Sequence, residues 1–232
     1  MPLSTIADDE LLRQHLDEQS GAAMEELVRR HSGLVYSAAK RQVGRNDAAD
    51  VSQAVFAILV KKAHKLRGRP TLGGWLVKAT RYCAVDFMRK NSLNAKHERL
   101  AAAERRETAY DQSAGDYSAG EWSAHVAPQL DAALVSLSEA DRSAVVLRFL
   151  QDHSFSEIAQ VLKTTEEAAR KRVTRALQKL QVYLSRNGVA IPAAAIGVGM
   201  AAQASSAAPA SLVATIIGQT KCQALPASVV SI

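Results

Sequence analysis

Apolar residues recur along most of the chain at the three- and four-residue spacing of amphipathic helices. No segment alternates apolar and polar residues for long, so we expect an all-α fold without strands. The helices predicted in the first part of the chain span 8–19, 22–43, 48–65 and 74–90. Two breaks separate the last three of these helices: one at 44–47, which contains glycine, and one at 66–74, which contains glycine and proline.

Composition divides the chain into four parts. A first helical domain is predicted at 8–98, and a polar, irregular stretch at 99–128 has the character of a flexible linker. A second helical domain follows at 129–187, and an Ala-rich C-terminal extension occupies 188–232. We therefore predict two small helical domains, a helical bundle and a helix-turn-helix domain, joined by the linker.

The helix-turn-helix prediction comes from the stretch 154–180, in which two short amphipathic runs are separated by about three residues. Ser154 and Glu157 have the spacing of a capping box at the start of the first helix. Thr164 or Thr165 can cap the second helix. Two short helices joined by such a turn form the motif whose second helix enters the DNA major groove.

That second helix combines an apolar stripe with a basic face. The stripe consists of Ala169, Val173, Ala176, Leu177, Leu180 and Leu184. The candidate DNA contacts are Arg170, Lys171, Arg172, Thr174 and Arg175. The three farthest from the stripe (Lys171, Thr174 and Arg175) are predicted to face base edges, and the two arginines beside it to meet phosphates. The alternative is a surface hairpin whose basic residues are only solvated.

Charge is distributed unevenly in this chain, whose formal net charge is +6. Residues 61–99 contain eleven Lys or Arg against two acids, a pattern typical of a polyanion partner, most often nucleic acid, although a solvated face is the alternative. Cys83, Cys222 and the six scattered histidines lack disulfide or metal-ligand spacing, so we expect no metal and no cofactor. The first residues show no signal pattern, so we expect a cytoplasmic protein.

The predicted helix 48–65 is apolar on more than one side, which indicates either full burial or a partner. Its outer apolar residues are Phe56, Ala57 and Val60, beside the polar Asp50 and Gln53. The predicted helix 74–90 has its own basic face, made by Lys78, Arg81 and Arg89.

Three segments carry a resemblance to a known family: DAADVSQAVFAILVKKAHKL, GGWLVKATRYCAVDFMRK and LSEADRSAVVLRFLQDHSFSEIAQVLKTTEEAARKRVTRALQKL. Together they resemble a bacterial RNA polymerase sigma factor of the extracytoplasmic-function group, in the sigma-70 superfamily, over residues 8–187. The resemblance implies a region two that binds the polymerase and melts the −10 promoter element. It also implies a region four that reads the −35 element through the helix-turn-helix.

The resemblance also assigns residues to these roles. The polymerase-binding residues it implies are Asp47, Asp50, Gln53 and Phe56. The −10 contacts it implies are His64, Lys65, Arg67, Lys78, Arg81 and Arg89. For Phe56, plain core packing is an equally open alternative, and we expect Trp75 to lie in the core rather than act as a melting wedge. Lys163 stands where the family usually has glycine in the helix-turn-helix turn.

The resemblance implies core RNA polymerase and promoter DNA as partners and allows for an anti-sigma factor. We therefore predict an alternative sigma factor. A dimeric helix-turn-helix regulator is the alternative, with the apolar face around Phe56 as its dimer surface. We expect no enzyme, because the break at 66–74 lacks the Lys-Ser/Thr ending of a phosphate-binding loop and no set of catalytic groups can be assembled.

The C-terminal extension has no charge between Arg186 and Lys221. We expect no membrane span, because Pro, Gly and Ser interrupt the run and Ala dominates it. Two outcomes stay open for this segment: disorder, or short helices near 193–202 and 211–217 that dock on the protein's own surface.

Overall fold

The computed structural model describes residues 3, 6–101, 126–203 and 207–224, with side chains described there except at 93–101, 127–128 and 221–224. The described residues are mostly helical and include no strand, which confirms the all-α prediction. The helices are α1 (Asp8–Asp17), α2 (Gly21–Leu66), α3 (Gly73–Ala101), α4 (Ala127–Ser136), α5 (Glu139–Val145), α6 (Phe155–Val161), α7 (Glu166–Arg186), α8 (Ala193–Gln203) and α9 (Ala210–Ala224). A π-helical turn, Val146–Leu150, extends α5. Residues 102–125, most of the predicted linker, lie outside the described residues.

Helix α2 is interrupted at Gly44, whose φ of 80° and ψ of 178° are not helical. Glycine adopts a positive φ without the steric penalty of a side chain. The two halves of α2 correspond to the two helices predicted at 22–43 and 48–65. The break takes one residue instead of the predicted four, because the helix resumes at Arg45.

Helices α1, α2 and α3 form the first bundle around a buried carboxylate. Asp8 is 6% exposed, and its Oδ2 accepts hydrogen bonds from His31 Nε2 at 3.0 Å and from the Leu72 amide at 2.9 Å. Arg30 Nη1 donates to Asp8 Oδ1 at 2.7 Å. Burial opposes ionisation, but His31, the Leu72 amide and Arg30 together hold the pKa of Asp8 well below its usual range. This network fixes α1 to the start of α3.

The second bundle, α4 to α7, is organised around the buried Arg142 of α5. Its guanidinium donates to the carbonyls of Val135 and Leu137 at the C-terminal end of α4, at 3.2 and 3.0 Å. Those carbonyls have no partner within their own helix, so Arg142 satisfies the end of α4. The same side chain donates to the Gly74 carbonyl at 2.9 Å, which ties this bundle to α3.

The two bundles pack against each other through an interface that we call the interdomain contact, made by Arg41, Gly73 and Gly74 on one side and Asp131, Arg142 and Ser143 on the other. Arg41 forms a bidentate ion pair with Asp131, at 2.8 and 3.2 Å, and both side chains are buried. A Cβ atom at Gly74 would lie 2.6 Å from Ser143 Oγ, so only glycine allows this approach.

The C-terminal extension contacts both bundles. Helix α8 packs on the π-helical turn and α7, with Ile196 and Met200 fully buried. Helix α9 packs along α2, where Leu212 and Ile216 join the core of the first bundle. Of the two outcomes that the sequence left open for this segment, the structure shows short docked helices at Ala193–Gln203 and Ala210–Ala224. None of the helices, over the part of the chain that the structure describes, is long and apolar enough to cross a membrane.

Candidate nucleic-acid and polymerase interfaces

The helix-turn-helix is built by local capping. Ser154 Oγ accepts from the Glu157 amide at 3.2 Å, and the Ser154 amide donates to Glu157 Oε2 at 2.7 Å. The predicted capping box is therefore present at the start of α6. The cap of α7 is Thr165, whose Oγ1 accepts from the Ala168 amide at 3.2 Å. Of the two threonines that the sequence left open, the second takes the role.

Lys163 takes the left-handed conformation in the turn between α6 and α7, with a φ of 51°. A residue with a Cβ atom pays a steric cost there that glycine does not. The turn keeps the backbone shape that glycine would favour, even though the sequence places Lys at this position.

Helix α7 presents its basic face to solvent. Every residue of the predicted stripe is buried except Leu177, which is half-buried. The exposed candidates are Arg170, Lys171, Thr174 and Arg175, and Arg172 at the edge of the stripe is half-buried. The predicted division of α7 into an apolar underside and a basic outer face is confirmed.

Acidic neighbours hold several of these basic side chains in place. Arg170 pairs with Glu166 at 3.0 Å, and its guanidinium lies 4.8 Å from the Phe155 ring centroid. Lys171 pairs with Glu167 at 2.5 Å. Arg175 makes no ion pair with any residue of the described ranges. Because exposed pairs of this kind contribute only about 0–1 kcal/mol, a DNA phosphate can replace the carboxylates at low cost.

The predicted −10 residues occupy two separate places. His64, Lys65 and Arg67 are exposed at and just beyond the end of α2, where Arg67 pairs with Asp17 at 2.5 Å. The other three lie on α3: Lys78 and Arg81 are half-buried and Arg89 is exposed.

Helix α3 also exposes an aromatic residue, Tyr82, that is not among the predicted −10 contacts. Tyr82 is 59% exposed, and Lys78 Nζ lies 5.8 Å from its ring centroid. Val85, on the same side by helical spacing, is 42% exposed. The sequence feature that indicates this exposure is the spacing of Tyr82, four residues after Lys78 on the basic face of the helix. Trp75, which was expected in the core, is partly buried against the core cluster of the first bundle.

The predicted polymerase-binding residues lie on the second half of α2. Asp47 and Gln53 are half-buried and Asp50 is exposed. Phe56 is 1% exposed, and the core cluster that buries it also contains Leu212 and Ile216 of α9. Gln53 Oε1 accepts a hydrogen bond from Gln219 Nε2 of α9 at 2.9 Å.

Comparison with known proteins gives two family matches in the same order as the two bundles. The family model for Sigma-70 region 2 matches residues 27–93, and the model for Sigma-70, region 4, matches 133–182. The two ranges together cover about half of the chain. The first lies within the bundle that contains α2 and α3, and the second contains the helix-turn-helix.

Individual relatives agree with these matches. The chain is 29% identical over 179 residues to the ECF RNA polymerase sigma factor SigE of Mycolicibacterium smegmatis, covering 74% of this chain and 65% of SigE. It is 24% identical over 153 residues to the RNA polymerase sigma factor SigV of Bacillus subtilis, covering 66% of this chain and 83% of SigV. The chain thus spans just under two thirds of SigE.

A solved structure also aligns with this chain: the sigma factor RpoE in complex with the anti-sigma factor NepR from Bartonella quintana. The alignment covers 74% of this chain and 98% of that chain at 18% identity, with a TM-score of 0.28. The two family models, matched in order, and the relatives named above show that the chain belongs to the sigma-70 family, as a member of the extracytoplasmic-function type.

Proposed function

We propose that this protein is an alternative sigma factor that binds core RNA polymerase and directs promoter-specific initiation by recognising −10 and −35 elements. The observation that carries the proposal is the exposed basic face of α7, which lies in one matched sigma region while a second basic face, on α3, lies in the other. Two separate DNA-facing surfaces in one chain suit a promoter with two elements. Such a factor works in the cytoplasm, with the polymerase.

Recognition of the −35 element follows from the geometry of α7. Lys171, Thr174 and Arg175 are exposed on the side opposite the buried stripe and enter the major groove. Arg175 suits a bidentate contact to a guanine edge because no carboxylate among the described residues pairs with it. Arg170 and Arg172, at the edges of the stripe, contact phosphates and set the position of the helix.

Recognition of the −10 element uses the outer face of α3. Tyr82 offers an aromatic surface for an unpaired base, and such stacking is worth about 1–3 kcal/mol per base. Lys78 and Arg89 lie along the same face and neutralise the backbone of the separated strand. His64 and Lys65, at the end of α2, extend this basic surface. Polymerase binds α2 through Asp50 and Gln53.

The experiment is run-off transcription with purified core RNA polymerase and a promoter library, using the full chain. Arg175→Ala is expected to cost about 1–3 kcal/mol at promoters with the preferred base and to relax the preference at one position. Arg170→Ala is expected to weaken all promoters alike and to flatten the salt dependence. Arg13→Ala is the matched charge control, since Arg13 is half-exposed on α1, outside the proposed DNA surfaces, and pairs with its helix neighbour Glu10.

The proposal fails if the chain gives no promoter-dependent transcript with core polymerase. Identical effects of Arg175→Ala and Arg170→Ala on every promoter would remove the division between base and phosphate contacts. We expect a monomer in gel filtration, because the face around Phe56 that a dimeric regulator would use is already covered within the chain.

A further inference from the structure

We propose that α9 is an internal competitor of core RNA polymerase: it occupies the face of α2 that the polymerase binds, and it must leave that face before the protein can act. This inference rests on the proposed function. It assigns a role to the C-terminal extension, which follows the region matched by the two sigma models.

The first support is the position of α9. The side chain of Gln219 donates to Gln53 at 2.9 Å, and Gln53 is one of the predicted polymerase-binding residues. Gln53 shares one face of α2 with Ala49, Phe56 and Val60, which follow the spacing of an amphipathic stripe. Ala49 and Val60 are partly buried against the cluster that contains Phe56 and the apolar side chains of α9. A protein partner and α9 cannot both occupy this face.

The second support is the amphipathic character of α9. Leu212 and Ile216 are 6% and 1% exposed, whereas Ala214 and Thr215 on the other side are exposed. The helix therefore covers an apolar surface that would otherwise face solvent, and an apolar face bordered by polar groups is typical of a protein-binding site.

The third support is that the described side chains of α9 contact α2 mainly through apolar packing. Residues 210–220 include no charged side chain. Among the described side chains, the bond from Gln219 to Gln53 is the one hydrogen bond between α9 and α2. Over its described side chains, α9 can therefore be exchanged for another apolar partner without separating a buried ion pair. Polymerase, which binds only the uncovered form, would shift the population toward it.

The test compares the affinity of three full-length chains for core RNA polymerase by fluorescence anisotropy. Ile216→Asp places a carboxylate in a buried apolar site and should expel α9. Ala214→Asp, on the exposed side of the same helix, is the matched control for charge and helix propensity. If α9 covers the face in nine of ten molecules, its expulsion raises the apparent affinity about tenfold. We expect that gain for Ile216→Asp alone.

A second measurement needs no substitution. Amide hydrogen exchange of the wild-type chain should show loss of protection in 210–220 when core polymerase is added, and protection there that is unchanged would overturn the inference. If Ile216→Asp does not fold, the polymerase affinity of Ile216→Ala and the hydrogen-exchange data test the inference instead. For Ile216→Ala we expect a smaller gain in polymerase affinity, because the change destabilises the docked helix less.

The outcomes separate the inference from the function on which it rests. Equal polymerase affinity of all three folded chains overturns the inference and leaves the proposed function standing. Weaker binding by Ile216→Asp also overturns it, since α9 would then support the binding surface. If no chain binds core polymerase, even with α9 expelled, the proposed function itself is wrong.

Discussion

The buried ion pair between Arg41 and Asp131 holds the two bundles together, and removing it has a calculable effect. Asp131 is 0% exposed and the Arg41 side chain is 6% exposed, with two hydrogen bonds between them. Asp131→Ala leaves the guanidinium of Arg41 without its counter-charge in a buried site. Loss of one partner from such a pair costs about 3–5 kcal/mol.

Separation of the two bundles removes most of this free-energy cost. Arg41 and Asp131 lie in different bundles, so separation of the bundles returns Arg41 to water while each bundle stays folded. The substitution then destabilises the contact between the bundles and not the helices within them. We call molecules with the two bundles in contact closed and molecules with the bundles separated open. Since each 1.4 kcal/mol is a factor of ten, the ratio of closed to open molecules should fall by about a hundredfold to several thousandfold.

Small-angle X-ray scattering and urea unfolding measure the two parts of this prediction. We expect a larger radius of gyration for Asp131→Ala and two unfolding transitions, one for each bundle, with unchanged helical circular dichroism. Arg69→Ala is the matched control: Arg69 also forms an ion pair from the first bundle to the second, with Glu139, but both side chains are partly exposed. It should cost only about 0–1 kcal/mol and leave the scattering curve unchanged.

Two results would refute this reasoning. Equal effects of Asp131→Ala and Arg69→Ala would mean that burial of the pair has no energetic consequence. Loss of helical signal in Asp131→Ala would mean that Asp131 supports its own bundle and does not act between bundles.

Three further predictions concern single positions. Gly74→Ala should open the interdomain contact at a cost of about 1–3 kcal/mol, visible in scattering, because its Cβ would lie 2.6 Å from Ser143 Oγ and 3.2 Å from the Ser143 backbone. Lys163→Gly should raise the free energy of unfolding by about 1 kcal/mol in urea titration, because it relieves the φ of 51°. Since the folded pKa of Asp8 is lowered, its contribution to stability should be present above its unfolded pKa and lost as the pH falls below about 4; Asp8→Asn should remove that part of the pH dependence of the melting temperature.

The elements of this fold were predictable where local chemistry decides them. The capping box at Ser154 and the apolar stripe of α7 depend on residues within one or two turns, and both were predicted at the correct positions. For the extension, the spacing of Leu212 and Ile216 favoured docked helices but left disorder open, and the structure shows the helices. The C-terminal end of α3 was predicted wrongly at residue 90, where the apolar periodicity fades. The helix continues to Ala101, because no Gly or Pro interrupts it before that residue.

The contacts between distant segments could not be predicted in the same way. Arg41 and Asp131 lie 90 positions apart, and each reads as an ordinary charged residue on an amphipathic helix. Arg142 is a similar case, since its partners are carbonyls of α4 and α3 that have no signature in the sequence. The residue type indicates polarity but not the partner, so the candidate surfaces were predictable and the closed arrangement of the bundles was not.

The order of the helices along the chain also determines when α2 is covered during synthesis. Gln53 and Gln219 are 166 positions apart, so their contact closes one of the longest loops in the fold. At a translation rate of about 5–20 residues per second, α9 begins to emerge from the ribosome about 7–30 seconds after the end of α2. Throughout that interval the apolar face around Phe56 has no α9 to cover it. A nascent chain therefore presents this face before its own C-terminal cover exists, and co-translational encounters with a partner or a chaperone precede self-docking.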